Sequence, residues 1–104
     1  MTKINKYKAK VVRLIDGDTV ELDIDLGFYI THRIIGRLVG VNTPERGEPM
    51  FSEATDVAFS LLHQVENEEG EIIIETHRTG KYGRWLVTIK GVNDVLSKRW
   101  PYDN

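Results

Sequence analysis

The stretch Arg37–Glu45, R-L-V-G-V-N-T-P-E, decides how the rest of the chain is read. Its first half is strand-like: Leu38, Val39 and Val41 are apolar, and Gly40 leaves room for something to approach the backbone closely. Pro44 removes a ladder donor and pushes Thr43 into an extended conformation, so the strand should run to Val41 and stop at Asn42-Thr43-Pro44. A strand that ends at a polar lip gathers Arg37, Asn42, Thr43 and Glu45 at the edge of a sheet. Those side chains offer a fixed cation for a phosphate, oxygen donors for a hard metal ion and a carboxylate able to activate water. An ordinary charged strand end with a proline turn would carry the same residues. The stretch needs support from its neighbours.

Upstream, Lys8–Ile15 reads as a first strand, and Asp16-Gly17-Asp18 as a tight turn between antiparallel strands. From Thr19 to Leu26 the alternation is regular. Val20, Leu22, Ile24 and Leu26 face one way, and Glu21, Asp23 and Asp25 form a solvated acidic face. Gly27–His32 is a hairpin end, and the strand that includes Arg37 starts near Arg33. Together these three strands make a meander.

Downstream, Arg46-Gly47-Glu48-Pro49 is too rich in breakers for regular structure. Ala54, Val57, Ala58, Leu61, Leu62 and Val65 then form one apolar helical stripe. Ser52 is the expected N-cap, Glu53 and Asp56 belong to the first turn, and Gly70 ends the helix. Glu71–Thr76, with three consecutive isoleucines, predicts a buried strand, and His77–Gly83 a polar loop. Arg84–Lys90 predicts a fifth strand, and Val92–Arg99 a short helix stopped before Pro101. Three meander strands, a helix, two strands and a final helix match a five-stranded barrel of the OB type with flanking helices. That is a mostly β, α+β fold in a single domain over residues 1–104.

Composition narrows the function classes. A hydrophobic content of 40% over 104 residues supports one core and no second domain. The absence of cysteine excludes disulfides and thiolate–zinc sites. No segment is apolar enough to span a membrane. The positive start, Met-Thr-Lys-Ile-Asn-Lys-Tyr-Lys, has no apolar run behind it and is not a signal peptide. A cytoplasmic location follows unless a leader has been removed, and a monomer is favoured. The net charge of −2 means that nucleic-acid binding would have to come from a local basic patch.

Three polar clusters fall at strand ends: Asp16-Gly17-Asp18-Thr19, Arg37 through Glu45, and Lys81-Tyr82-Gly83-Arg84. Joined, they would hold what metal-assisted phosphodiester hydrolysis needs. A divalent ion polarises the phosphoryl oxygen, arginines stabilise the charge that develops on phosphorus, and a carboxylate orients or deprotonates water. Taken singly, D-G-D is a common hairpin turn and K-Y-G-R suits any exposed loop. His32, His63 and His77 lack metal-ligand spacing and read as surface or core-edge residues. Trp85 reads as core rather than as a base-stacking platform, and Ser52 has no histidine placed to activate it.

Order and wording favour the joined reading. I-D-G-D-T-V at Ile15–Val20, R-L-V-G-V-N-T-P-E at Arg37–Glu45 and K-Y-G-R at Lys81–Arg84 together resemble the staphylococcal nuclease (thermonuclease) family. The resemblance runs from about Lys10 to Leu96, and D-I-D-L-G-F at Asp23–Phe28 looks like members from phages and prophages. It implies an OB barrel with flanking helices and calcium-dependent cleavage of DNA and RNA that leaves 3′-phosphates. It also implies one calcium ion held by Asp18, Asn42 and the Thr43 carbonyl, with Asp16 as a supporting carboxylate. Glu45 matches the general base, and Arg37 and Arg84 match the arginines that grip the scissile phosphate. Lys81 and Tyr82 match substrate-contacting positions, and Tyr102 a substrate-stacking tyrosine.

Three departures accompany the resemblance. Asn42 stands where the family has an aspartate, which should weaken cation binding but leave an oxygen in place. The net charge is negative where the type enzyme is basic, and the sequence ends at Asn104 where better-known members continue into another helix. The rival expectation is an OB module that binds nucleic acid or protein without catalysis. Such domains typically lose the arginines and acidic residues, and here Asp18, Arg37, Glu45 and Arg84 are all present.

Overall fold

A computed structural model describes residues 5–79 and 84–102 of the chain. Five strands and two helices follow one another as β1 (Asn5–Asp16), β2 (Thr19–Asp25), β3 (Thr31–Leu38), α1 (Phe51–Val65), β4 (Glu71–Thr79), β5 (Trp85–Ile89) and α2 (Asn93–Arg99). The strands close into a barrel in the order β1-β2-β3-β5-β4, with β4 returning to β1. Every seam is antiparallel except β3–β5, which is parallel, with Gly36 opposite Trp85 and Arg37 opposite Leu86. This is the five-stranded, OB-like barrel with two helices that the order of elements predicts.

Period-2 patterning supplies the barrel interior. Val20, Leu22 and Ile24 of β2, Ile34 and Leu38 of β3, Ile72 and Ile74 of β4, and Val87 and Ile89 of β5 are all buried. The helices add Ala58 and Leu62 from α1 and Leu96 from α2 to the same core. Asn93 ties α2 to the barrel: its side-chain oxygen accepts the Ile89 N–H, and its amide donates to the Val39 and Val87 carbonyls. One buried amide thus bonds three backbone groups where β5 gives way to α2, one of which, the Val87 carbonyl, also accepts the Val39 N–H.

Several boundaries differ from the pattern reading. β3 stops at Leu38 rather than Val41, because Gly40 sits at φ +76°, outside strand geometry, and Val41 pairs only as an isolated bridge with Pro101. Nothing lies within 4 Å of where a Gly40 Cβ would stand, so this glycine serves the turn and not a close approach. Leu26 is exposed, since it lies beyond the last β2–β3 pair, Asp25–Thr31. Ile73 is exposed as well: three consecutive isoleucines in one strand of a barrel cannot all face inward. β4 extends to Thr79, past the predicted loop start at His77.

Trp85, expected in the core, is partly exposed at the entry to β5. Ser52 is not the N-cap of α1. Met50, at φ +69°, already accepts the Ala54 N–H, which puts Ser52 inside the helix. The helix ends at Val65, well before Gly70. Asn67 redirects the chain there, its side-chain oxygen accepting the N–H groups of Glu69 and Glu71.

Candidate phosphate and cation site

The β1–β2 turn and the polar lip after β3 meet at one end of the barrel. Register brings them together: Thr19 pairs with Arg37 across β2–β3, and the Leu38 N–H donates to the Asp18 carbonyl. The two segments also interlock by shape. A Cβ on Gly17 would stand 2.7 Å from the Thr43 side chain, so only glycine lets the turn close over Thr43.

Asp18 is the hub, and it is only 7% exposed. One of its oxygens accepts the Thr19 hydroxyl at 2.8 Å. The other accepts the Thr43 N–H at 3.1 Å and lies 3.2 Å from Nη1 of Arg37. The Arg37 guanidinium also donates to the Val41 carbonyl at 3.0 Å and, more loosely, to Oδ1 of Asn42 at 3.4 Å. A charged pair removed from water in this way is stable only when its remaining donors and acceptors are satisfied, and here most are.

Two features leave the centre incompletely satisfied. Asp16, whose carboxylate accepts the Asp18 N–H at 3.1 Å, has its pKa pushed up from 3.8 to about 6. Burial is the first cause, and the hydrogen bond and negative charge of Asp18 add to it. The Thr43 hydroxyl is buried and has no hydrogen-bond partner among the described residues. Adjacent carboxylates, a spare hydroxyl and amide and carbonyl oxygens form a hard, all-oxygen donor set, which suits calcium. The set is lean. Among the described residues no three His, Cys, Asp or Glu side chains cluster as metal ligands, and the Asn42 oxygen leans toward Arg37.

The remaining predicted residues, Tyr102 apart, are Glu45, Arg84, Lys81 and Tyr82. Glu45 is exposed in the loop after Thr43, its N–H donating to the Glu48 carboxylate at 2.6 Å. Its own carboxylate makes no hydrogen bond or ion pair with the centre among the described residues. Arg84 is half-buried at the entry to β5, two residues ahead of Leu86, the register partner of Arg37. Lys81 and Tyr82 lie outside the described residues.

Tyr102 comes to the centre by a route that local pattern does not reveal. After α2 the chain runs beside residues 40–42: Asn42 N–H donates to the Trp100 carbonyl, Val41 bridges Pro101, and Tyr102 N–H donates to the Gly40 carbonyl. The Tyr102 ring then lies with its centroid 5.4 Å from Cζ of Arg37. Gly17 and Thr19, which the sequence offers only as members of the Asp16–Thr19 polar cluster, are the packing partner of Thr43 and the hydrogen-bond partner of Asp18. A glycine and a hydroxyl flanking the second aspartate of D-G-D-T were the available signal.

The histidines stand apart from this network. His63 pairs with Glu66 and stacks on Phe59 along α1, and His77 hydrogen-bonds Thr88. Asp23, on the outer face of β2, is held by both arms of Arg33, which keeps its carboxyl below the usual range. No helix among the described residues is long and apolar enough to cross a membrane.

No family model matches the chain. Among curated proteins it is similar to Protein ParB of Escherichia coli, 27% identical over 96 residues, which is 92% of this chain and 48% of that protein. The chain therefore spans about half the length of the curated relative it matches. A matched span of that extent takes in every polar cluster from Asp16 to Arg84.

Proposed function

We propose that the chain is a nuclease of the staphylococcal nuclease type, hydrolysing phosphodiester bonds in DNA and RNA with one calcium ion and leaving 3′-phosphate ends. One observation carries this reading: the D-G-D turn and the Arg37–Thr43 lip form a single hydrogen-bonded centre, with the Arg37 guanidinium beside Asp18 and a second carboxylate, Asp16, bonded to the Asp18 N–H. A hairpin turn and a proline turn of no chemical purpose would have no reason to converge on a half-buried carboxylate of raised pKa and an unpartnered buried hydroxyl.

Asp18, Asn42 and the Thr43 carbonyl would hold the ion, with Asp16 adding charge from behind. When bound, the ion polarises a phosphoryl oxygen. The side chains supply the rest. Arg37 keeps in-plane donors beyond those taken by Asp18 and Val41, and these suit the oxygens of a phosphate. Arg84 is the second cation for the charge that builds on phosphorus, and Glu45, free to reach water, orients or deprotonates the nucleophile. The nucleic-acid partner and the polar roles of Lys81 and Tyr82 belong to the same proposal.

A second reading, a nucleic-acid- or protein-binding module without catalysis, is favoured by one contact: the Asn42 oxygen turned to Arg37 rather than left for a cation. Incubating single-stranded DNA with the protein in calcium or in chelator, alongside Glu45→Gln, separates the two. The enzyme reading expects cleavage by the parent in calcium alone and loss in the variant. Cleavage that survives chelation, or none in calcium, overturns it.

A further inference from the structure

The contact between Tyr102 and Arg37 assigns a role to the segment that follows α2. Trp100 packs against the core and accepts the Asn42 N–H at 2.9 Å, which fixes where the segment starts. The Val41–Pro101 bridge and the 3.0 Å bond from Tyr102 N–H to the Gly40 carbonyl then hold it alongside the lip. The result is a short strap laid across the turn that ends β3, with the Arg37 guanidinium over the Tyr102 ring.

Arg37 is held on one side by Asp18 and the Val41 carbonyl through Nη1 and more loosely by Asn42 through Nη2, and none of these bonds uses Nε. With Cζ over the aromatic face at 5.4 Å from its centroid, the guanidinium is drawn to the ring by a cation–π attraction that restrains its movement. The donors stay available to a phosphate.

We propose that Tyr102 is a positioning residue for Arg37, acting through the ring face rather than by holding substrate. This rests on the nuclease reading for its consequence but not for its geometry. An arginine that stabilises a transition state must already point at the phosphorus before charge develops, because any reorganisation at that moment adds to the barrier. Removing the ring should therefore lower turnover and leave substrate affinity alone. Tyr102 is 53% exposed, so its replacement should leave the barrel folded.

The test uses the full chain with Tyr102→Leu and Tyr102→Phe, read in two ways. In steady-state cleavage of single-stranded DNA in saturating calcium, Tyr102→Leu should lose about three- to tenfold in kcat with KM within twofold of the parent. Tyr102→Phe, which keeps the ring, should restore kcat. Independently of activity, the Arg37 Nε–Hε resonance of nitrogen-15-labelled protein should shift in Tyr102→Leu and stay in place in Tyr102→Phe. A raised KM at unchanged kcat would make the ring a platform for a substrate base and overturn the proposal. Equal impairment of both variants would transfer the role to the hydroxyl, and an unmoved Arg37 resonance in Tyr102→Leu would show that the ring does not hold the side chain. If the parent cleaves nothing, the nuclease reading fails, and the resonance alone still decides whether Tyr102 holds Arg37.

Discussion

The β2–β3 ribbon has two ends, and they invert the usual rule of burial. At one end Asp18, Thr19 and Thr43 are buried polar residues knitted to Arg37. At the other, Phe28 is 92% exposed and Tyr29 fully so, both at positive φ next to Gly27. Each end departs from what stability alone would select, but in opposite ways. The polar end spends desolvation on a charged pair that apolar residues of similar volume would replace with little loss. The aromatic tip leaves rings in water on a backbone of sparse population, which costs without obvious return. What separates them is connection. The polar end joins β1, β2, β3 and the strap, whereas among the described residues the tip is tied down by Leu26–Ile30, Ile30–Gly27 and Asp25–Gly27 hydrogen bonds within its own turn. Chemistry can be organised only at the end where several elements fix each group.

That contrast can be broken from either side. The largest effect is expected at the hub. Asp18→Ala leaves the Arg37 charge and the Thr43 N–H without their acceptor, and should cost about 3 kcal/mol of stability in urea unfolding. A cost below about 1 kcal/mol would reduce the centre to a surface ion pair. Arg84→Lys comes next. A lysine cannot make the paired bonds of a planar fork, so turnover should fall by about a hundredfold or more. Parent-like turnover would leave Arg84 a loop residue.

If Asn42 is a calcium ligand as proposed, Asn42→Asp adds a negative charge to the ligand set and should tighten calcium binding about tenfold by calorimetry, since desolvation cancels most of the Coulomb gain. It need not raise the rate at saturating calcium, because a more neutralised ion is a weaker Lewis acid. Weaker binding by the aspartate variant would remove Asn42 from the ligand set.

Asp16 supplies a signed pH effect. Its folded-state pKa, about 6, lies above its ordinary 3.8, so between those values the folded protein holds a proton that the unfolded chain has lost. Stability should fall as pH rises through that window, and the penalty is complete above it. Asp16→Asn should therefore match the parent near pH 3.5 and exceed it at pH 7 by roughly 1 kcal/mol, after allowance for solvent screening. Calcium should narrow the gap by favouring the ionised form. The smallest effect belongs to the tip: Phe28→Ser with Tyr29→Asn should change stability by less than about 0.5 kcal/mol. A large loss there would mean that the rings do pack on the fold.

Local pattern was enough for the order of elements, the inward set of β2 and the α1 stripe, because each follows from periodicity within a few residues. It was not enough where pairing partners lie far apart in the chain. Val41 looks like strand interior until its partner proves to be Pro101, and Gly40 looks like a site of close approach until its φ is known. The three isoleucines and Leu26 show the same limit: whether a residue faces inward is decided by barrel closure and register, not by its side chain. For the site, Asp18, Arg37 and Thr43 were each legible as chemistry, but their convergence depends on the Thr19–Arg37 register. The placing of Arg37 over the Tyr102 ring depends on a strap that carries no periodic signal.

The parallel β3–β5 seam has a kinetic corollary. The β1–β2–β3 meander pairs through short turns, whereas β5 reaches β3 only after α1 and β4 have intervened, so the loop-closure entropy of this seam is far greater. Arg37 stands on the early side of the seam, and Arg84 enters on the late side. A partly opened molecule, with the meander intact and β5 detached, would keep most of its secondary structure while the two arginines lost their common frame. Amide hydrogen exchange in β5 should then track loss of the site more closely than any global unfolding signal, since sub-global openings of this kind occur below the energy of full unfolding.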